Sequence, residues 1–377
     1  MTRKEFFTVI GNSMLALGLF RNSWLHSTMK KRSVAMNKGL KLSYEIKRLV
    51  LKHTWTISRN SSDYKDNIII KVEKDGITGY GEAAPNIRYN ETPESTVAVV
   101  EKAIPLFAQA NPWQFVDLGF AIQKLDPAQT AAKAGMDLAL MDWMAKSLGI
   151  PFYKYLGLDK TKAPVTTFTI GIDTPEMIKQ KVLEAEPYPV LKIKVGREND
   201  EEIIAAVRSV TDKPLRVDAN EGWKVKEEAL DKIQWLATQN VEFIEQPMPA
   251  SRLDDIRWLR ERVNIPLIAD ESVKTASDIP QLATAFDGIN IKLMKAGGLQ
   301  EGLRMVWLAK SLGMKVMLGC MIETSIAIAA GASISPLIDY ADLDGNLLIA
   351  NDPFDGHQVE RGQIILNDRP GLGVVPK

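Results

Sequence analysis

From Gly39 to about Ala83 apolar and polar residues largely alternate. "KLSYEIKRLVLKHTWTI" and "NIIIKVEKDGITGYGEA" carry the period of half-buried strands, and Asp75-Gly76 between two apolar runs marks a tight hairpin. The period then lengthens. Thr92-Pro93-Glu94 opens a helix with proline in its first turn. "AQTAAKAGMDLALMDWMAKSLG" reads as a second helix, stopped at Gly149 ahead of Pro151. Strands first and helices afterwards make residues 37–160 an α+β unit.

Beyond Pro164 the text becomes strand, helix, strand, helix. "TTFTIGI", "VLKIKVG", "LRVDAN", "EFIEQP", "PLIAD", "GINIKLM" and "KVMLGCM" are mostly continuous apolar runs ended by a polar residue, as parallel strands buried on both faces require. Amphipathic stretches such as "DEEIIAAVRSV" and "KEEALDKIQWLATQ" lie between them. The polar strand ends Lys194, Asp218, Glu245, Asp270, Lys292 and Cys320 follow one another at intervals of 22 to 28 residues, one βα unit per step. An open doubly wound sheet could show the same alternation. Seven or eight consecutive units with polar carboxyl ends favour a closed barrel over residues 161–354, whose active site would lie on that rim. The last stretch, "GHQVERGQIILNDRPGLGVV", is strand-like and could return, over 355–377, to pack on the amino-terminal unit.

Residues 1–36 follow neither pattern. A short basic start precedes a weak apolar run from Val9 to Phe20, and Ser33-Val34-Ala35 could be a cleavage site, so the segment is either an export signal or an extension. The compartment expected is the cytoplasm, or the periplasm if the segment directs export. No run reaches the ~20 apolar residues of a membrane-spanning helix.

Composition narrows the chemistry. The 377 residues hold 47 basic and 47 acidic side chains, so no global field favours nucleic acid or an anionic membrane. One cysteine, Cys320, excludes an internal disulfide, and three histidines leave little material for histidine-based ligation or catalysis. Asp218, Glu245 and Asp270, by contrast, end three successive strands, and neighbouring barrel strands lie about 5 Å apart. Three carboxylates brought that close repel one another unless a cation intervenes. A hard ion suits oxygen donors, which points to one Mg²⁺ per subunit rather than zinc. Taken singly, each acid could equally cap the helix that follows it.

Lys194 lies one strand before these acids and Lys292 one strand after. In a closed barrel those strands face each other across the mouth. A substrate held by the metal would then meet one ammonium on each face, and a proton could leave an α-carbon on one side and return on the other. Lys192 shares a strand face with Lys194, so its charge is expected to lower the proton affinity of Lys194. Lys295 is the rival for Lys292 should the register slip.

The sequence of motifs, Lys-x-Lys, Asp-Ala-Asn, Glu-Gln-Pro, Ala-Asp-Glu-Ser and Asn-Ile-Lys-Leu-Met-Lys-x-Gly-Gly, resembles the muconate-lactonizing subgroup of the enolase superfamily from about residue 40 to 377. The resemblance implies a modified (β/α)7β TIM-like barrel under an α+β capping domain. It also implies Mg²⁺ on Asp218, Glu245 and Asp270, acid/base catalysis by Lys194 and Lys292, and Lys192 near the substrate carboxylate. Within that subgroup "DYADLDGN" is similar to the dipeptide epimerases, where Asp342 and Asp344 would receive a free α-ammonium group. Glu323 in "CMIETS" matches the seventh-strand motif and is assigned to the polar surroundings of the substrate. Arg59, after the first strand, would pair with a glutamate side chain. "KAGG" at 295–298 reads as the family's tight turn.

The expected activity is therefore epimerisation of a small dipeptide such as L-Ala-D/L-Glu through an enediolate, in the turnover of cell-wall peptides. No nucleic acid or membrane partner is expected, and a homo-oligomer would be in keeping with the resemblance. A cycloisomerase, o-succinylbenzoate synthase or N-acylamino acid racemase shares the lysines and acids without needing the aspartate pair. A Schiff-base aldolase on Lys292 or a non-catalytic peptide-binding protein are readings from other classes.

Overall fold

The structure, a computed structural model, describes residues 39–57 and 61–377. Three antiparallel strands open it: β1 (Lys41–Thr56), β2 (Ser61–Lys74) and β3 (Ile77–Ala83), in the order β1-β2-β3. Asp75 and Gly76 turn the second hairpin with φ of 54° and 77°, the left-handed pair that a tight reversal demands. One face of this sheet is covered by the helices Pro93–Gln109 and Thr130–Ser147. Thr92 caps the first with a reciprocal bond to Ser95. The second is alanine-rich and buried almost throughout, because it is enclosed on several sides. It packs directly on strand backbone: a Cβ on Gly81 would stand 1.9 Å from the Gly135 carbonyl oxygen, so only glycine permits that approach.

Eight parallel strands follow in strict sequence order: β4 (Phe168–Ile170), β5 (Leu191–Lys194), β6 (Leu215–Asp218), β7 (Val241–Glu245), β8 (Leu267–Ala269), β9 (Gly288–Lys292), β10 (Lys315–Gly319) and β11 (Tyr340–Asp342). A parallel bridge between Thr166 and Ala341 brings the start of β4 to β11 and closes the ring. The strands from β5 to β10 are buried almost end to end, as their continuous apolar text requires. The expected strand "GINIKLM" is shorter than its text. It ends at Lys292, and Leu293–Ala296 is a helical turn closed by Gly297 at φ 83° and Gly298 at φ 123°. Propensity carried the reading two residues too far, because the turn chemistry of the double glycine decides where the strand stops.

The carboxyl-terminal stretch returns to the first unit. Phe152 N–H donates to the Gly371 carbonyl at 2.8 Å, and Leu372 N–H donates to the Asp142 carboxylate at 2.7 Å. Asp142 also accepts from Tyr80 N–H at 2.8 Å and Lys146 at 2.6 Å, so one buried carboxylate ties strand, helix and chain end together. Burial raises its proton affinity against those donors. The expected export or extension segment, 1–36, lies outside the described residues. Among the described residues no helix is long and apolar enough to cross a membrane.

Candidate active site

Thr169 of β4, the carboxyl ends of β5, β6 and β8 to β11, and strands and turns of the cap enclose a cavity of about 340 Å³. Its walls include Lys192, Lys194, Lys292, Asp270, Asp342 and Asp344 from the barrel, and Trp55, Lys65, Asn67 and Arg88 from the cap.

Register sets the floor. Lys194 pairs with Asp218 and Asp218 with Glu245 across adjacent strands, so the three side chains emerge at one level. Asp270 follows β8 directly. One carboxylate oxygen from each of Asp218, Glu245 and Asp270 lies within 4.8 Å of the others, and all three residues are fully buried. Burial, and then the charge of Asp218, push the Glu245 carboxyl up to about 8. Burial also opposes ionisation of Asp218 and Asp270, but the ammonium groups outweigh it. Asp218 falls to about 2 beside Lys194 and Lys192, and Asp270 lies well below the carboxylate range beside Lys292 and Lys295. The set is hard, anionic and preorganised, and suits a divalent cation with oxygen ligands.

The backbone around the acids is unusual. Asn220, Glu221 and Gln246 take positive φ of 45°, 66° and 36° just past β6 and β7. The Gln246 side chain locks its own turn: the amide oxygen accepts from Asp270 N–H at 2.9 Å and Ser272 N–H at 3.1 Å, and the amide nitrogen donates to Met248 and Ser272. Gly196, at φ 102°, allows the loop after β5 to approach, since a Cβ there would lie 2.3 Å from the Ala219 carbonyl oxygen.

Lys194 donates to Asp218 at 2.5 Å and Lys292 to Asp270 at 2.8 Å. Their strands, β5 and β9, stand four apart in the ring of eight, on opposite sides of the mouth. Burial lowers Lys292, but Asp270 overrides it and the ammonium is held above its ordinary value.

Lys192 departs from the sequence-based expectation. Its ammonium lies 2.7 Å from Asp342, 2.8 Å from Glu245 and 3.3 Å from Asp218. Burial opposes its charge, but these carboxylates outweigh burial and hold it protonated, well above the lysine range. Shared by three anions, its charge is largely neutralised locally. It is a fixed cation stitched into the floor, not a free charge set to depress Lys194. Lys295, the alternative to Lys292, is buried beneath the floor, where it donates to the carboxylate and the carbonyl of Asp270 and to the Asn290 carbonyl.

Asp342 ends β11 and accepts from Thr169 Oγ1 at 3.0 Å as well as from Lys192. Asp344 accepts from Thr169 N–H at 2.6 Å. Burial, and then the charge of Asp342, push the Asp344 carboxyl up to about 7. Glu323 is not among the cavity-lining residues. It accepts from Met321 N–H at 2.8 Å, and burial and then Glu82 raise its carboxyl to about 8. Arg59 lies outside the described residues.

Two cap residues had no signal in the sequence. Arg88, on the loop after β3, forms a two-pronged ion pair with Glu221 at 2.8 to 3.0 Å and so clamps cap to barrel. Lys65, on β2, faces the cavity. Both are ordinary surface residues by local text, and only the docking of the two units gives them a place.

Residues 176–377 match the family model "Enolase C-terminal domain-like", and residues 45–157 match the amino-terminal domain of mandelate racemase and muconate lactonizing enzymes. The L-Ala-D/L-Glu epimerase of Bacteroides thetaiotaomicron is 44% identical, over 99% of this chain and 99% of that one. The L-Ala-D/L-amino acid epimerase of Pedosphaera parvula is 43% identical, over 85% and 94%. A dipeptide epimerase of Enterococcus faecalis, crystallised with Mg and L-Leu-L-Tyr, superposes with a TM-score of 0.84 at 33% identity, over 89% of this chain and 99% of that one.

Proposed function

The chain belongs to the enolase superfamily, among the mandelate racemase and muconate lactonizing enzymes, and on that footing we propose that it is a Mg²⁺-dependent epimerase inverting the α-carbon of the C-terminal residue of a dipeptide. One observation carries the reading: a buried three-carboxylate cluster lies between lysines of opposite strands, beside a pair of aspartates on the last strand. Asp218, Glu245 and Asp270 would hold the ion. Bound there, the ion would supply the positive charge that favours binding of a peptide carboxylate and offsets the charge left at an ionised α-carbon.

The protein's own groups do the rest. Lys194 and Lys292 each address one face of the α-carbon, one receiving the proton while the other, already protonated, returns one to the opposite face. Lys192, held permanently charged, supports the substrate carboxylate without competing as a base. Asp342 and Asp344 receive the peptide's ammonium group, with Thr169 orienting both carboxylates. A free amino terminus is what separates dipeptides from N-acylated substrates, which bring no ammonium to that pair. Peptides released in cell-wall turnover are a natural source of such compounds.

Incubation with Mg²⁺ and a panel of free dipeptides in deuterium oxide tests the reading. One deuterium should appear at the C-terminal α-carbon together with the inverted diastereomer, and N-acetylated counterparts should react at least 100-fold more slowly. No exchange with any dipeptide would overturn it.

The ammonium site should also be visible in pH. Asp344 faces Asp342, Lys192, Cys320 and Tyr188, and its carboxyl is protonated below about 7 in the free protein. An incoming ammonium needs the charged form, so binding must expel that proton. Affinity should then weaken as pH falls below 7, by at most tenfold per unit. Calorimetry of the Mg²⁺-loaded protein at pH 6, in two buffers of different ionisation enthalpy, should find close to one proton released per dipeptide. Asp344→Asn should bind more weakly and release none; an unchanged proton count in that variant would place the titration elsewhere.

A further inference from the structure

Among the described residues, the cavity wall contributed by the cap holds one cation whose charge nothing nearby answers. Lys65 projects from β2 on the same face as Asn67, two residues on, and both line the cavity with Trp55 and Ile57 of the neighbouring strand and loop. Asn67 is fixed from below, donating to the Ile322 carbonyl at 2.9 Å and to Glu82 at 2.8 Å, so this part of β2 is held against the barrel. The other cations among the described residues of the cavity are all engaged: Lys192 with Asp342 and Glu245, Lys194 with Asp218, Lys292 with Asp270, Arg88 with Glu221. Among the described residues the Lys65 ammonium meets no carboxylate and no hydrogen-bond acceptor, although it is half-buried, and that burial depresses its proton affinity. An unpaired ammonium taken partly out of water is costly, and a site that retains one gains when an anion arrives.

The stereochemistry of the reaction says which anion. When the α-hydrogen leaves, the α-carbon flattens, with its carboxylate, amide nitrogen and side chain in one plane and the two lysines above and below. The carboxylate takes the direction of the acid cluster, and the amide nitrogen leads to Asp342 and Asp344. The side chain takes the remaining in-plane direction, toward the cap. We propose that Lys65 receives the side-chain carboxylate of the dipeptide's C-terminal residue and makes the site selective for acidic dipeptides. This rests on the epimerase reading above and adds a substrate class to it. Relatives of this chain named for L-Ala-D/L-Glu and for L-Ala-D/L-amino acids show that the family's choice of side chain varies, so a residue of this chain must make it. Arg59, the residue the resemblance offered for this role, lies outside the described residues.

Steady-state kinetics on the full-length, Mg²⁺-loaded protein separate the possibilities. Wild type should turn over L-Ala-L-Glu with a higher kcat/KM than the isosteric neutral L-Ala-L-Gln. Lys65→Met should lose about 30-fold or more in kcat/KM for L-Ala-L-Glu, chiefly through KM, because a charge-assisted bond is removed from ground and transition states alike. Its kcat/KM for L-Ala-L-Gln should stay within threefold, which also shows that the variant folds. Lys65→Arg should keep most of the preference, and Lys65→Glu should move it toward L-Ala-L-Lys. Equal losses on both substrates, no change on either, or a wild type that favours L-Ala-L-Gln would each overturn the assignment while leaving the epimerase standing. A wild type that exchanges the α-hydrogen of no dipeptide would remove the epimerase itself, and this assignment with it.

Discussion

Lys292→Ala should stop epimerisation and yet leave half of the chemistry running. On the proposed mechanism each lysine serves one face of the α-carbon, so in the variant Lys194 should still face the hydrogen of one diastereomer. That diastereomer should go on exchanging its α-hydrogen for deuterium without inversion, while the other should be inert in both respects. Lys194→Ala should show the mirror image. Overall epimerisation falls by roughly 10²–10⁴-fold in either case, the usual worth of a positioned acid or base, or about 3–5 kcal/mol of barrier. Lys292 also donates to Asp270, so Mg²⁺ affinity must be measured in the variant to separate a lost proton carrier from a loosened ion. Exchange surviving with both diastereomers in both variants would show that the lysines do not divide the faces. Loss of all exchange at unchanged metal affinity would show that they act as a unit rather than in turn.

The placement of these residues on one rim was legible in the sequence because it depends on register. Lys194, Asp218, Glu245, Asp270 and Lys292 are each the last polar residue of an apolar run or the first beyond it, and a parallel barrel puts every such end on one rim. The spacing of the βα units fixed their order. What the text could not show was which charges meet. Lys192 and Lys194 read as a repelling pair because they neighbour each other in sequence. In the folded chain Lys192 sits against Asp342, Glu245 and Asp218, residues up to 150 positions away, and its charge is shared out. Long-range partners invert a local electrostatic argument in the same way at Lys295, which the text offers as a second candidate base and which binds Asp270 from beneath. The cap is the other illegible part. Its strands and helices follow their periods, but Lys65 and Arg88 acquire a place only when the sheet lies over the barrel mouth, and no period in either segment encodes that approach. The short return of residues 355–377 was legible as strand-like, but its anchor, Asp142, lies in the middle of a helix whose text shows only alanine-rich burial.

Glu245→Gln should separate what the acid cluster does for catalysis from what it costs the fold. Three carboxylates within 4.8 Å, fully buried, repel one another, and the four lysines around them only partly compensate. A bound divalent ion offsets that repulsion, so the wild-type protein should gain stability on adding Mg²⁺. The gain is about 2.7 kcal/mol at a hundredfold excess over Kd, a rise of a few degrees in Tm. EDTA should abolish activity without unfolding the chain, since each acid retains a lysine or amide partner, and Mg²⁺ should restore it. In Glu245→Gln the neutral amide keeps the size and removes the charge that Glu245 carries above about pH 8 in the free protein and would need in order to hold the ion. Activity should fall at least 10³-fold and the Mg²⁺-dependent rise in Tm should shrink or vanish, while in EDTA the variant should melt at or above the wild type. A variant less stable than wild type in EDTA would mean that Glu245 serves the fold through its ion pair with Lys192, and that like-charge repulsion is not what the cluster holds in reserve for the metal. Wild-type activity and Tm both indifferent to EDTA would remove the ion from the site altogether, and with it the means of taking up charge from the α-carbon.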